Sequence, residues 1–167
     1  MIDKLDIEGI NYNDAVTDQG ILEETHNANI ATDVIPLFSF PDLGYIVEYG
    51  SWRGTVVDIL SKRYGAERVL GFDISNFTNH SQIHNVDVRL ISGDKRYKMP
   101  IALAWNDLSE WTGSPASKQA AFDHAMNNMI DGGIFIEHKK SPSYIYNHKN
   151  LTLIHSTKHL LFFRFNE

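Results

Sequence analysis

Along most of the chain, short apolar runs alternate with stretches of helical spacing. Tyr45-Ile46-Val47 is an apolar run closed by Glu48 and Gly50, and Val56, Val57, Leu60 and Tyr64 then recur at helical intervals before Gly65. This predicts a strand, a tight turn and a helix. Residues 68–72 read as a second strand ending in Asp73, and residues 86–91 as a third closed by Gly93-Asp94. A fourth strand over 101–105 ends in Asn106-Asp107. Ser114 as N-cap and Pro115 as first helical residue open a helix with Phe122, Ala125, Met126, Met129 and Ile130 on one face, and Asp131-Gly132-Gly133 stops it. Residues 134–136 form a fifth strand, and two apolar runs over 151–154 and 160–165 predict a terminal antiparallel hairpin. Strands alternating with helices predict an α/β domain whose mostly parallel sheet is covered on both faces.

The first forty residues differ in kind. They carry eight carboxylates against Lys4 alone, a charge of −7, so the rest of the chain sums to +1 against a net charge of −6. A solvated acidic arm is one reading of residues 1–43. The other is an amphipathic lid, in which Ile21, Leu22, Ile30, Val34 and Ile35 form a cover ended by Pro36 and Pro41. Residues 44–167 then make a single core domain. The covering helices expected over 74–85 and 95–100 are too short for full helices, so exposed sheet calls for a homo-oligomer or for the head folded over that face.

Composition narrows the chemistry. The chain has no cysteine, which removes disulfides, Cys-ligated metals and thiol catalysis. Its acidity argues against a sequence-independent grip on nucleic acid. No apolar run suits a membrane span and the start MIDKLDIEG lacks a signal pattern, so a cytoplasmic protein is expected.

In a parallel sheet, ligands bind beyond the carboxyl ends of the strands. Here those positions are glycine or polar throughout: Glu48-Tyr49-Gly50-Ser51-Trp52-Arg53-Gly54, then Asp73, Asp94, Asn106-Asp107 and Glu137-His138. Gly50 and Gly54 allow a sharp turn and close approach to a ligand, and Asp73 follows about 20 residues later, where a ribose hydroxyl pair is accepted. This describes a nucleoside pocket. A dinucleotide is disfavoured, because Trp52 replaces the middle glycine and Glu48 brings negative charge near a pyrophosphate. A P-loop is absent, since no Gly-Lys-Ser or Gly-Lys-Thr occurs. A carboxylate at the first strand end suits a cationic cofactor.

The segments VEYGSWRGTVVDIL, GFDIS, SGD and NMIDGGIFIEH together resemble the class I S-adenosylmethionine-dependent methyltransferases over residues 44–167. Glu48, Gly50 and Gly54 match the family's first motif, with Trp52 in place of its central glycine, a departure similar to that of macrocin-type O-methyltransferases. The resemblance implies a Rossmann-like three-layer sandwich with a seven-stranded, mostly parallel sheet and a reversed C-terminal hairpin. It also implies that S-adenosylmethionine is the cofactor. On that resemblance Asp73 holds the ribose, Ile74 packs on adenine, Asp94 faces the adenine amino group, and Glu48, Gly50 and Ser51 border the methionine end, with Trp52, Gly54 and Asn106 completing the pocket. Related families bind Mg²⁺ after the fourth and fifth strands, which places Asp107, Glu137 and His138 as metal candidates. Without a metal, Asp107 and His138 remain the catalytic candidates, His138 as general base.

The expected function is methyl transfer to a small-molecule acceptor, at oxygen. The alternatives are a nucleic-acid methyltransferase, which needs a basic rim, and a catalytically silent binding protein of the same fold. Trp105 and Trp111 could stack an acceptor, although aromatics at strand ends more often belong to the edge of a core.

Overall fold

The computed structural model describes residues 18–74, 78–104, 115–138, 145 and 147–167. Helix α1 (Asp18–Val34) precedes β1 (Ile46–Tyr49), α2 (Thr55–Tyr64), β2 (Val69–Asp73), β3 (Ile83–Asn85), β4 (Met99–Leu103), α3 (Pro115–Asn128), β5 (Met129–His138), β6 (Leu151–Ser156) and β7 (Leu160–Phe165). The strands form one sheet in the order β3-β2-β1-β4-β5-β7-β6. Five are parallel, and only β7 runs against its neighbours β5 and β6. The order reverses between β1 and β4, which leaves a crevice at their carboxyl ends.

Alternation along the strands divides the core into two layers. Ile46, Ile101, Leu103, Ile134 and Ile136 bury against Ala28, Ala31 and Ile35 from the head and Val56, Val57 and Leu60 from α2. Val47, Tyr49, Phe72, Ala102, Phe135 and Phe163 bury against Ala121, Phe122 and Ala125 of α3. The head from Asp18 onward is therefore a helix laid on one face of the sheet. No helix among the described residues is long and apolar enough to cross a membrane.

Two elements differ from the sequence expectation. The third strand is Ile83–Asn85, hydrogen-bonded in register with Gly71–Asp73, and residues 86–91 instead hold a 3₁₀ turn, Val88–Leu90. The cause is local. The Asp87 carboxylate accepts the Arg89 amide at 3.0 Å and the Arg89 guanidinium at 2.7 Å, which curls the chain out of the ladder. The second difference is the end of α3 at Asn128, so Met129 and Ile130 already belong to β5. Gly132, with φ of 83°, then serves a bulge in which β5 shifts register against β4 rather than a helix cap.

Candidate functional site

Residues 48–54 bend sharply where β1 ends. Glu48 is fully buried on the α2 side of the sheet. Ser51 is equally buried, and its hydroxyl donates to the Glu48 carbonyl at 3.0 Å. The amides of Gly50 and Ser51 both donate to the Phe72 carbonyl, at 2.8 and 3.3 Å, so the bend crosses from β1 onto the end of β2. Gly50, Trp52 and Gly54 take φ values of 74°, 49° and 83°. Trp52 thus keeps the left-handed backbone that a glycine would supply at its position, and its ring is 4% exposed. At Gly54 a side chain would collide with the His80 ring, whose Nε2 in turn bonds Asp58 on α2 at 2.8 Å. Gly54 offers no side chain to cap α2, so the positive end of that helix faces the bend.

Asp73 completes this arrangement. It is 4% exposed, and its Oδ2 accepts the Trp52 amide at 2.8 Å. The carboxylate is therefore turned toward the bend and not into the apolar layers. Ile74 follows it, half-buried. Glu48, Gly50, Ser51, Trp52, Gly54 and Asp73 lie together, all buried, at the ends of β1 and β2. The electrostatics there are mixed in a useful way: two carboxylates bracket a bend that carries uncapped helix amides, which suits a ligand bearing both a cation and a carboxylate.

The other expected residues are placed differently. Asp94 lies on the return path from β3 to β4, where its carbonyl accepts the Asn128 side chain at 2.5 Å. Asn128 is the last residue of α3 and leads straight into β5, so Asp94 sits toward the amino edge of the sheet. Burial works against its charge, but bonds from the Arg96 amide and guanidinium outweigh that and hold the carboxyl below its ordinary range. The acidic residue just past β3 is Asp87, whose bonds to Arg89 hold it low as well. Residue Asp87 was hidden by the misplaced third strand. Asn106 and Asp107 lie outside the described residues, as do Trp105, Trp111 and Ser114.

At the end of β5 the neighbours Glu137 and His138 point to opposite faces of the sheet. Glu137 is buried on the α3 side, where its Oε1 accepts Lys118 Nζ at 2.7 Å. The same ammonium donates to the Ala104 carbonyl at 2.6 Å, and the His138 amide also reaches Glu137 Oε1, at 2.8 Å. The His138 ring instead stacks near His159, with centroids 6.3 Å apart. With one carboxylate already neutralised by an ammonium and the imidazole on the other face, these residues do not fit a shared divalent ion. Among the described residues no group of three His, Asp or Glu side chains has the arrangement of a metal site. Lys118 carried a signal that composition hides: it falls three and seven residues before Ala121 and Ala125, on the buried side of α3.

No protein-family model matches the sequence, and no curated protein matches it. Solved structures do. The N-methyltransferase NodS from Bradyrhizobium japonicum, in complex with S-adenosyl-L-homocysteine, superposes with a TM-score of 0.63 at 12% identity, over 98% of this chain and 98% of that one. CalS11, a TDP-rhamnose 3'-O-methyltransferase of calicheamicin biosynthesis, gives 0.56 at 14% identity, over 94% and 84%. MycE, a methyltransferase of the mycinamycin pathway in complex with Mg and S-adenosyl-L-homocysteine, gives 0.56 at 12% identity, over 88% of this chain and 49% of that one. The fold is the one these methyltransferases share. Its seven-stranded, mostly parallel sheet and its reversed terminal hairpin match the expectation from sequence.

Proposed function

We propose that this chain is an S-adenosylmethionine-dependent methyltransferase acting at oxygen on a small-molecule acceptor. The observation that carries the reading is the meeting of the Asp73 carboxylate with the bend, across the Trp52 amide, at the carboxyl ends of β1 and β2. Asp73 would accept the two ribose hydroxyls. Glu48 beneath the bend favours the cationic end of the cofactor, and the first amides of α2 favour its carboxylate. Cofactor complexes in NodS and MycE support the same ligand class.

The cofactor supplies a methyl group already activated by its sulfonium. The chain's own work is to hold the acceptor in line and to remove the hydroxyl proton. We assign proton removal to the imidazole of His138, half-buried at the end of β5.

Calorimetry with S-adenosyl-L-homocysteine tests the cofactor reading. The expected result is binding at about micromolar Kd, lost in Asp73→Asn, which keeps an acceptor for the Trp52 amide while removing the charge. A flat titration of the wild-type chain returns it to the silent binding class. Replacing His138 by Gln is expected to leave that affinity unchanged while abolishing transfer to hydroxyl acceptors.

A further inference from the structure

Beneath the bend lies a buried aromatic cluster that the proposed reaction does not use. Tyr49, the last residue of β1, stacks on Phe72, the residue before Asp73, with ring centroids 5.7 Å apart. Its hydroxyl lies 2.7 Å from Nδ1 of His124 on α3. Both side chains are fully buried. His124 packs edge-on against Tyr49, Phe72 and Tyr97. Its Nε2 has no hydrogen-bond partner among the described residues.

The protonation pattern follows from this geometry. The Tyr49 hydroxyl also lies 3.6 Å from Met99 Sδ, a direction in which it donates. The Tyr49 oxygen is then free to accept from Nδ1–H, which leaves Nε2 as a bare acceptor. That is cheaper than burying an orphan N–H. Adding a proton to the ring would bury a charge and create such an orphan. The titratable groups facing His124 are Tyr49 on β1, Asp94, Arg96 and Tyr97 on the connection from β3 to β4, and, beyond Phe72, His84 on β3. Met99 on β4 and Asn128, whose amide bonds the His124 carbonyl at 2.7 Å, complete its surroundings. Desolvation holds the imidazole below its ordinary value, with Asp94 opposing and Arg96 assisting.

We propose that His124 is a positioning residue for the cofactor bend: through the Tyr49 hydroxyl, neutral His124 on α3 holds the Tyr49 ring against Phe72 at the ends of β1 and β2, and acid, which places a charge and an orphan N–H at Nε2, drives the imidazole out of the cluster and loosens that hold. The path is short. Tyr49 precedes Gly50, whose amide is bonded to the Phe72 carbonyl, and Phe72 precedes Asp73. A shift of the Tyr49 ring therefore reaches both the bend and Asp73. The inference rests on the cofactor reading above.

The test measures S-adenosyl-L-homocysteine affinity by calorimetry at pH 7.5 and 5.5, together with thermal midpoints, for the wild type, Tyr49→Phe and His124→Gln. Tyr49→Phe is expected to weaken binding about three- to tenfold at pH 7.5, the effect of one lost hydrogen bond. His124→Gln retains a hydrogen-bonding group that does not titrate, so it should bind within about threefold of wild type at pH 7.5 and lose less affinity than wild type at pH 5.5. A purely structural cluster would lower the midpoint of Tyr49→Phe and leave its affinity alone, which overturns the proposal. Equal loss of affinity with acid in wild type and His124→Gln overturns it as well. If the wild-type chain binds no cofactor at either pH, the proposed function fails first and takes this inference with it.

Discussion

At the scale of single residues, two side chains show how local cost is balanced. Trp52 holds a left-handed backbone, which costs an ordinary residue on the order of 1 kcal/mol, yet its ring is almost completely enclosed. Removing the ring loses more than relaxing the backbone gains, so Trp52→Gly is expected to destabilise by about 2 to 4 kcal/mol in urea unfolding. Lys118 and Glu137 pose the opposite case, two charges taken out of water and satisfied by each other. Lys118→Met takes the ammonium away from the buried Glu137 carboxylate and should cost about 3 to 5 kcal/mol. The double change Lys118→Met with Glu137→Leu should recover most of that loss, because an apolar pair needs no partner. A double variant no more stable than the single one would show that the carboxylate is not the source of the cost. The glycine bend and Asp73 were legible because turn chemistry and strand ends leave a mark in sequence. The Lys118–Glu137 pair and the Tyr49–His124 contact were not, because each joins residues brought together only by the packing of α3 on the sheet.

At the scale of elements, the legible parts were those with strong internal periodicity. Helix α2 and strands β2 and β7 lie where spacing placed them, since each buries its apolar residues in a way that its own segment specifies, and β4 begins and ends two residues earlier than expected. Strand β3 was not legible. It is an edge strand of three residues in which only Ile83 is buried, so it has no alternation to read. The more strand-like run after it was diverted by the Asp87–Arg89 contact. The end of α3 was misjudged for a related reason: Met129 and Ile130 continue the helical spacing, but parallel pairing of Met129 with Met99 claims them for β5. Pairing with a distant strand overrides local pattern. The head illustrates the same dependence, since an acidic composition suggested solvent while Ala28, Ala31 and Ile35 dock on the sheet. Ile35 is fully enclosed just past α1. Ile35→Ala is expected to cost about 2 to 5 kcal/mol, and amide exchange should quicken first in α1, the element that this contact ties to the core.

At the scale of the whole molecule, one buried and one half-buried imidazole set how stability responds to acid. Desolvation depresses His124, and it also depresses His148, with Lys149 adding to the effect and Asp123 opposing it. A histidine whose folded pKa lies below its ordinary value of 6.5 takes up its proton in the unfolded chain first. Its contribution is therefore complete above that value, and stability declines as pH falls below it, until the folded chain is protonated too. The carboxylates act later and with the same sign. Asp87 and Asp94 are held below 3.8 by Arg89 and Arg96, so their contribution persists through mildly acidic pH and is lost only as pH falls below that value. Unfolding in urea should accordingly show two losses, one beginning near pH 6.5 and another below pH 4. In His124→Gln the first loss should shrink to the part carried by His148, while the second is unchanged. A midpoint that stays level between pH 7.5 and 5.5 in the wild type would mean that neither imidazole is held neutral by its surroundings, and the clamp beneath the bend would lose its physical basis.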